Sequence, residues 1–491
     1  MYMKANKILS DSVALAIVKA LTVVVSIVST MILSRKLDLA SYGTYSTGNL
    51  IINTATALSA FGLLDAVNYY YNSSTKEEKN KYINTIFSIV FFIGIITAIV
   101  IFTFRKQIQN YFDNPSIEVI LIYIIFRPVL ANLGLGMQNL QVSIGKAKIV
   151  AIRNSIISFA KLFIVIITAY ITQNVSTIFA CMLFIEAISL FFYYKVLSES
   201  GVRIYLNRFD INLVKNILAY SIPMGIYIQM NALSRDLDKY VIGFFESTDK
   251  LAIYTNASTK LPFDVISGPL LIVLIPILTR CINKGDYKNG LKLFKANIKI
   301  GYTITFIMGT IVLALSKPVI LFLYGEKYLA GITVFDIYVL VDMMNFISFS
   351  IVLGAKGKTK ILMIVSAMSL VINLGINYIF YDFFGFVGPA IATVIVVLIT
   401  NYILLRISAK VFKTTIRHLF DWKHVTLVIV ELLSIGLIIR NVSIILDNLG
   451  INYFVILLVL GILGLVIALI LNFNSIKEAL AELNRINDDN I

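Results

Sequence analysis

Lys19, Arg127 and Lys161 each lie inside a long apolar run, with no acidic residue within four positions. A charge at the centre of a bilayer costs about 2.5–3.5 kcal/mol on insertion scales, so such a residue faces a partner or a hydrated cavity. Cations in a low-dielectric cleft attract phosphate strongly, and an arginine grips it through two hydrogen bonds. These three are read as candidates for holding an anionic ligand, in preference to snorkelling or plain helix packing. Glu186, Glu431, Asp336 and Asp342 also interrupt apolar runs, and one run holds Arg235, Asp236, Asp238 and Lys239. Lys260 and Asp264 are four apart, and Arg235 and Asp238 three apart, so each pair can neutralise itself on one helix face. Asp11, Asp65, Asp336 and Glu431 are read as interface or helix-contact residues. Charges spread over so many runs point to a water-filled cleft.

The elements that must position these side chains are apolar helices. About 20 helical residues cross a bilayer core. Fourteen stretches meet that length, at about 8–33, 44–66, 83–104, 117–138, 149–171, 175–196, 216–245, 251–279, 297–316, 332–354, 361–381, 386–407, 425–440 and 451–472. With 58% hydrophobic and 14% charged residues and a mean hydropathy of +0.87, no aqueous fold hides this surface. The expected fold is an all-α polytopic membrane protein. The first stretch is too long for a signal peptide, carries Asp11 and Lys19, and leads straight into a second span, so it is read as a retained anchor.

Of the 42 Lys and Arg residues, 28 fall in the segments that are inside if the N-terminus is inside, and 8 fall in the outer loops. By the positive-inside rule both termini are cytoplasmic. The net charge of +15 is thereby spread over short inner loops and implies no nucleic-acid partner. Cys181 and Cys281 have no paired spacing, which argues against a disulfide framework or a metal site. His418 and His424 fall in a basic inner loop and are read as surface histidines. Tyr69-Tyr70-Tyr71 and Tyr193-Tyr194 stand at inner ends of spans, where an interfacial aromatic belt accounts for them better than a sugar site does.

The halves echo one another. Ser143-Ile144-Gly145-Lys146-Ala147-Lys148 is matched 212 residues on by Ala355-Lys356-Gly357-Lys358-Thr359-Lys360, and Tyr45 by Tyr254 at an offset of 209. Six spans per half gives parallel repeats, the layout of transporters that rock two lobes about a central site. The expected divisions are an N-terminal lobe over 1–200, a C-terminal lobe over 201–410, two extra spans over 411–472 and a tail over 473–491, read as a short solvated helix or disordered end. Pro262, Pro269 and Pro276 recur every seven residues on one stripe of span eight, where each removes a backbone hydrogen bond and tends to bend the helix.

Several segments carry a family likeness. Ser34-Arg35-Lys36-Leu37 through Tyr42-Gly43-Thr44-Tyr45-Ser46 resembles the first outer loop of the polysaccharide-exporting flippases of the multidrug/oligosaccharidyl-lipid/polysaccharide superfamily. Asp238-Lys239-Tyr240-Val241-Ile242-Gly243 with Ile253-Tyr254, Leu274-Ile275-Pro276 with Arg280, and Tyr324-Gly325-Glu326-Lys327-Tyr328 fit the same family in order. So do Gly357-Lys358-Thr359-Lys360 and Gly385-Phe386-Val387-Gly388-Pro389-Ala390-Ile391-Ala392-Thr393. Asp38-Leu39 stands where the family often has Gly-Pro, and Pro389 where alanine is commoner.

The resemblance implies a flippase that moves a polyprenyl-pyrophosphate-linked oligosaccharide from the inner to the outer leaflet of a bacterial cytoplasmic membrane. It implies cavity-lining cations on spans one and eight, here Lys19 and Lys260, which join Arg127 and Lys161 as the expected pyrophosphate site. Glu186, Asp264 and Asp238 are the carboxylates that could couple transport to protons or sodium, and no cofactor is expected. The expected partners are the lipid-linked glycan, membrane lipids and the glycan polymerase machinery, around a monomer. Two rivals stand. A multidrug antiporter of the same superfamily would favour an acidic cleft. A membrane glycan polymerase or ligase would be expected to present its reactive groups on a sizeable outer loop, and the chain has none.

Overall fold

The computed structural model describes residues 18, 21–263, 274, 275 and 277–488, with the backbone alone for 76, 224 and 484–488. Lys19, Asp264, Pro269 and Pro276 lie outside the described residues. The described residues are helices and turns with no strand. Ten stretches are long and apolar enough to cross a membrane, and one of them, Thr359–Val411, is two helices joined by the single turn Gly385–Val387. With the helix over 21–36 and the broken segments around Thr248–Ala257 and Ile332–Met344, the arrangement is compatible with fourteen crossings. Phe163, Phe184, Phe191, Val371 and Ile470 point outward from these helices, an apolar perimeter that only lipid satisfies. The protein is a multi-span helical membrane protein.

The chain separates into two compact units, 1–253 and 254–491. The expected division at residue 200 differs from this one by the Ile211–Phe245 helix, which packs on Leu39–Ala60 and Leu63–Ser73. That packing has a specific cause. Between the latter two helices the chain turns through Phe61 (φ 41°) and Gly62 (φ 73°). There it meets Gly225 backbone to backbone: a Cβ on Gly225 would lie 2.5 Å from the Phe61 carbonyl carbon, and one on Gly62 would lie 2.3 Å from the Ser221 carbonyl oxygen. Neither side has a movable atom to give way. Further along, Tyr240 donates its hydroxyl proton to Thr54 Oγ1 at 2.7 Å, and Tyr70 donates to the Asn216 carbonyl at 2.8 Å. Small residues and interhelical hydrogen bonds are the main adhesives between helices in lipid, because lipid tails compete equally for apolar contact.

Both departures from the family pattern fall at helix starts. Asp38 is the N-cap of Leu39–Ala60, where its carboxylate accepts from the Ser41 amide at 2.8 Å and the Ser41 hydroxyl at 2.9 Å. The Ser41 amide holds the Asp38 carboxyl below the usual range. Pro389 enters the first turn of Gly388–Val411, where a missing N–H goes unnoticed.

In the second unit, Tyr287–Ala314 is surrounded by Ile332–Met344, Trp422–Asn448 and Tyr453–Asp488. The final helix, at 36 residues, is about 54 Å long and outruns a 30 Å hydrocarbon core. Its tail is therefore a continuation of the last span and not a separate end, and Ala479 packs against Ala296 and Ile300. His424 departs from the surface reading. Tyr302 Oη lies 2.6 Å from its Nδ1 and Ser475 Oγ bonds its Nε2, so it ties three helices together. Glu431 is a helix contact, accepting from Asn472 Nδ2 at 2.8 Å.

The Gly62–Gly225 approach yields the first prediction. Gly225→Ala should lower stability by about 1–3 kcal/mol, the usual cost of overpacking, read as an earlier thermal transition of the purified protein in detergent. An unchanged transition would show that the two helices separate freely at this point.

Candidate functional site

The first unit contains an ion-pair group built by three helices. Arg127 begins Arg127–Ser143, Lys161 stands in Ala147–Ile171, and Glu186 stands in Val175–Glu199. Arg127 Nε donates to Glu186 Oε2 at 3.0 Å, and Nη2 donates to Oε1 at 3.1 Å, a two-pronged grip. Lys161 Nζ donates to the same Oε1 at 2.8 Å. The Arg127 and Glu186 side chains are each 14% exposed, and Lys161 32%. Two of the three cations that lack an acidic neighbour in sequence thus share one carboxylate from a third helix. This corrects the expectation that they stand unpaired. Glu186, in turn, has both oxygens engaged by cations, and the group as a whole carries one surplus positive charge. Arg127 Nη1 is buried and has no hydrogen-bond partner among the described residues.

A second layer lies two turns away. Arg153 and Lys161 are eight residues apart on one helix, about 12 Å along its axis. Tyr193 and Glu186 are seven apart on the antiparallel neighbour. The Arg153 guanidinium sits 3.5 Å from the centre of the Tyr193 ring and donates from Nη1 to Gln141 Oε1 at 2.8 Å. Gln138 Nε2 donates to the Tyr193 hydroxyl at 2.7 Å, and Asn154 Nδ2 donates to Gln138 Oε1 at 3.1 Å. Between the layers, Thr22 Oγ1 of the first helix lies 3.3 Å from Ser158 Oγ. Tyr193 is 4% exposed, so the aromatic-belt reading fails for it, while Tyr194 next to it is exposed. The spacing rule does not single out Arg153, which lies near the start of the fifth apolar run. The signal that marks it is the polar run Asn154, Ser158, Lys161 at helical spacing, which extends the polar face back to the start of the helix.

The other candidates are placed elsewhere. Lys260 belongs to the second unit and is exposed, just past the end of the Thr248–Ala257 helix. The chain is not helical at 260–262, and Asp264 lies outside the described residues. Leu261 donates its amide to Asp342 Oδ2 at 2.8 Å, so Asp342 serves the broken helix end. Asp238 is buried at 1% exposure within Ile211–Phe245, and on the same helix Lys239 pairs with Asp236 at 2.6 Å. The structure therefore brings Arg127, Lys161 and Glu186 together and adds Arg153 on the same pair of helices.

A model of the polysaccharide biosynthesis protein family matches residues 32–333, more than half of the chain. The chain belongs to that family. Among solved structures, it resembles the lipid II flippase MurJ in an inward closed conformation, with a TM-score of 0.72 at 17% identity, over 94% of this chain and 100% of that one. It also resembles an inward-facing multidrug resistance MATE family transporter of the MOP superfamily, with a TM-score of 0.66 at 14% identity, over 80% of this chain and 96% of that one. A third is a MOP superfamily transporter from Pyrococcus furiosus Vc1, described as having a binding pocket of reverse polarity, with a TM-score of 0.60 at 14% identity, over 83% and 96%. No curated protein matches the chain. At these identities the structures establish the fold, which is that of the multidrug/oligosaccharidyl-lipid/polysaccharide superfamily. The family member described here is accordingly a transmembrane protein of polysaccharide biosynthesis with a transporter's fold.

The ion-pair group separates two substitutions. Lys161→Gln leaves the Arg127–Glu186 pair neutral and intact. Glu186→Gln leaves two cations facing each other with no carboxylate. Breaking a buried pair by removing one partner costs about 3–5 kcal/mol, so Glu186→Gln should lower the thermal transition strongly and Lys161→Gln only slightly. Equal effects would show that the group is not a shared-carboxylate pair.

Proposed function

We propose that this protein flips a polyprenyl-pyrophosphate-linked oligosaccharide repeat unit from the inner to the outer leaflet of a bacterial cytoplasmic membrane, for cell-surface polysaccharide of the O-antigen or capsule type. The observation that carries this reading is the surplus positive charge inside the first unit. Two cations answer one carboxylate at Glu186, and Arg153 is met by a ring and an amide. An anion is what such a site lacks, and a pyrophosphate presents several acceptor oxygens to it. Lys19, Arg127, Lys161 and Lys260 are the residues proposed to handle the pyrophosphate, with Arg153 added. The glycan would follow the headgroup while the lipid tail stays in the bilayer, and access would alternate between the two sides. Family membership in polysaccharide biosynthesis and the likeness in fold to a lipid II flippase support the same reading. Glu186, Asp238 and Asp264 remain the proposed carboxylates for proton or sodium coupling, and of these Asp238 is buried. The reading needs no enzymatic step.

An antiporter for organic cations shares the fold, but it would need a site whose carboxylates outnumber its cations, and the group at Glu186 is the reverse. The test is mass spectrometry of lipid-linked glycans in cells depleted of the protein. Complete repeat units should accumulate on the polyprenyl carrier in the inner leaflet. Expression of Lys161→Gln at normal protein level should restore export about tenfold less well than wild type, the loss of one charge-assisted hydrogen bond. Unchanged lipid-linked glycans on depletion would contradict the reading and favour the antiporter. Complete units reaching the outer leaflet unpolymerised would instead indicate a polymerase.

A further inference from the structure

A tyrosine cluster in the first unit is not used by the charge-based account. Asp65, Asn68, Tyr69 and Asn72 occupy positions i, i+3, i+4 and i+7 of the Leu63–Ser73 helix, which places them on one face. Tyr69 stacks on Tyr220 of the Ile211–Phe245 helix, with ring centres 4.3 Å apart and planes at 16°. Tyr70 meets both edge-on, at 5.0 Å from Tyr69 and 6.0 Å from Tyr220. Behind them Tyr70 stacks on Tyr82 at 4.1 Å and 10° and anchors its hydroxyl on the Asn216 carbonyl. The arrangement is a braced aromatic platform whose outer member, Tyr69, is still 47% exposed.

The groups around that exposed ring are polar. Asp65 is close enough to Tyr220 to interact with it electrostatically. Ser143 donates to Asn68 Oδ1 at 2.7 Å, which fixes the Asn68 amide with its acceptor end occupied and its two N–H donors on the other end. Asn72 donates to the Asn68 carbonyl at 2.8 Å and is exposed. An interfacial aromatic belt places its rings at the level of the lipid headgroups. Here the neighbours of Tyr69 along the helix face are a carboxylate and two amides. A pyranose ring has a face of C–H groups and a rim of hydroxyls, which matches an exposed aromatic face rimmed by acceptors and donors.

We infer that the face of Asp65, Asn68, Tyr69 and Asn72, braced by Tyr220, is a carbohydrate-binding site that takes a sugar ring of the lipid-linked glycan. This rests on the flippase reading, including the positive-inside orientation that puts both helix ends on the cytoplasmic side. The site then meets the glycan before it crosses, separately from the cations that hold the pyrophosphate. Binding of glycan and pyrophosphate at different places would let the protein distinguish a finished repeat unit from the bare carrier.

The test uses the purified full chain in lipid nanodiscs and two probes: polyprenyl-pyrophosphate-linked glycans extracted from cells depleted of the protein, and polyprenyl pyrophosphate alone. Wild type should bind the glycan-bearing lipid more tightly. Tyr69→Ala should weaken binding of that lipid about five- to tenfold, in line with the loss of an aromatic contact, and leave binding of polyprenyl pyrophosphate unchanged. Tyr69→Phe should retain wild-type affinity for both probes, because it keeps the ring. Asp65→Asn, which leaves the stack intact, should weaken binding of the glycan-bearing lipid alone. If Tyr69→Ala and Asp65→Asn bind both probes as wild type does, or lose both equally, the carbohydrate site is overturned while the flippase reading stands. If wild type binds neither probe, the flippase reading itself has failed.

Discussion

One carboxylate shared by two cations organises the first unit. Glu186 draws Arg127 from one helix and Lys161 from another, and it does so where unpaired charge is expensive. The pairing lets three helices carry ionised side chains through the apolar region, with Arg127 and Glu186 each only 14% exposed. It also leaves a remainder, because two cations and one carboxylate do not cancel. That remainder is one formal positive charge held within the group.

The rest of the architecture keeps that charge in place. Arg153 and Tyr193 repeat the same helix-to-helix contact two turns on, with glutamine and asparagine side chains hydrogen-bonded around them. The glycine contact at Gly62 and Gly225 locks the Ile211–Phe245 helix onto the first unit. The broken segment after Ala257 and the end of Ile332–Met344 show the opposite device in the second unit. There the backbone leaves the helix, and Asp342 satisfies a freed amide.

Much of this was legible in the sequence, because membrane spans are written in hydropathy and a span's length is set by the bilayer. The all-helical fold, the multi-span character and the family likeness follow from apolar runs and ordered motifs. The partners of Arg127 and Lys161 were not legible. Glu186 lies 59 and 25 residues away from them, and a rule that searches four positions along one helix cannot find a partner on the next. Arg153 was missed for a related reason: its contact is Tyr193, 40 residues on and on the next helix. His424 needed Tyr302 and Ser475, which are 122 and 51 residues distant, to become a helix tie. The stacking of Tyr69 on Tyr220 spans some 150 residues and is equally invisible to local pattern. Lys260 differs again, since the spacing argument assumed a helix and the chain is not helical at 260–262.

On the proposed function, the surplus positive charge around Glu186 selects a pyrophosphate-bearing lipid. The most direct measurement is leaflet-to-leaflet transfer in proteoliposomes of the wild-type protein, comparing a polyprenyl-pyrophosphate glycan with a neutral glycolipid of matched glycan. The account predicts transfer of the pyrophosphate-linked lipid and little of the neutral one. Equal transfer of both would contradict it, because the charge at Glu186, Arg127, Lys161 and Arg153 would then have no part in choosing what crosses.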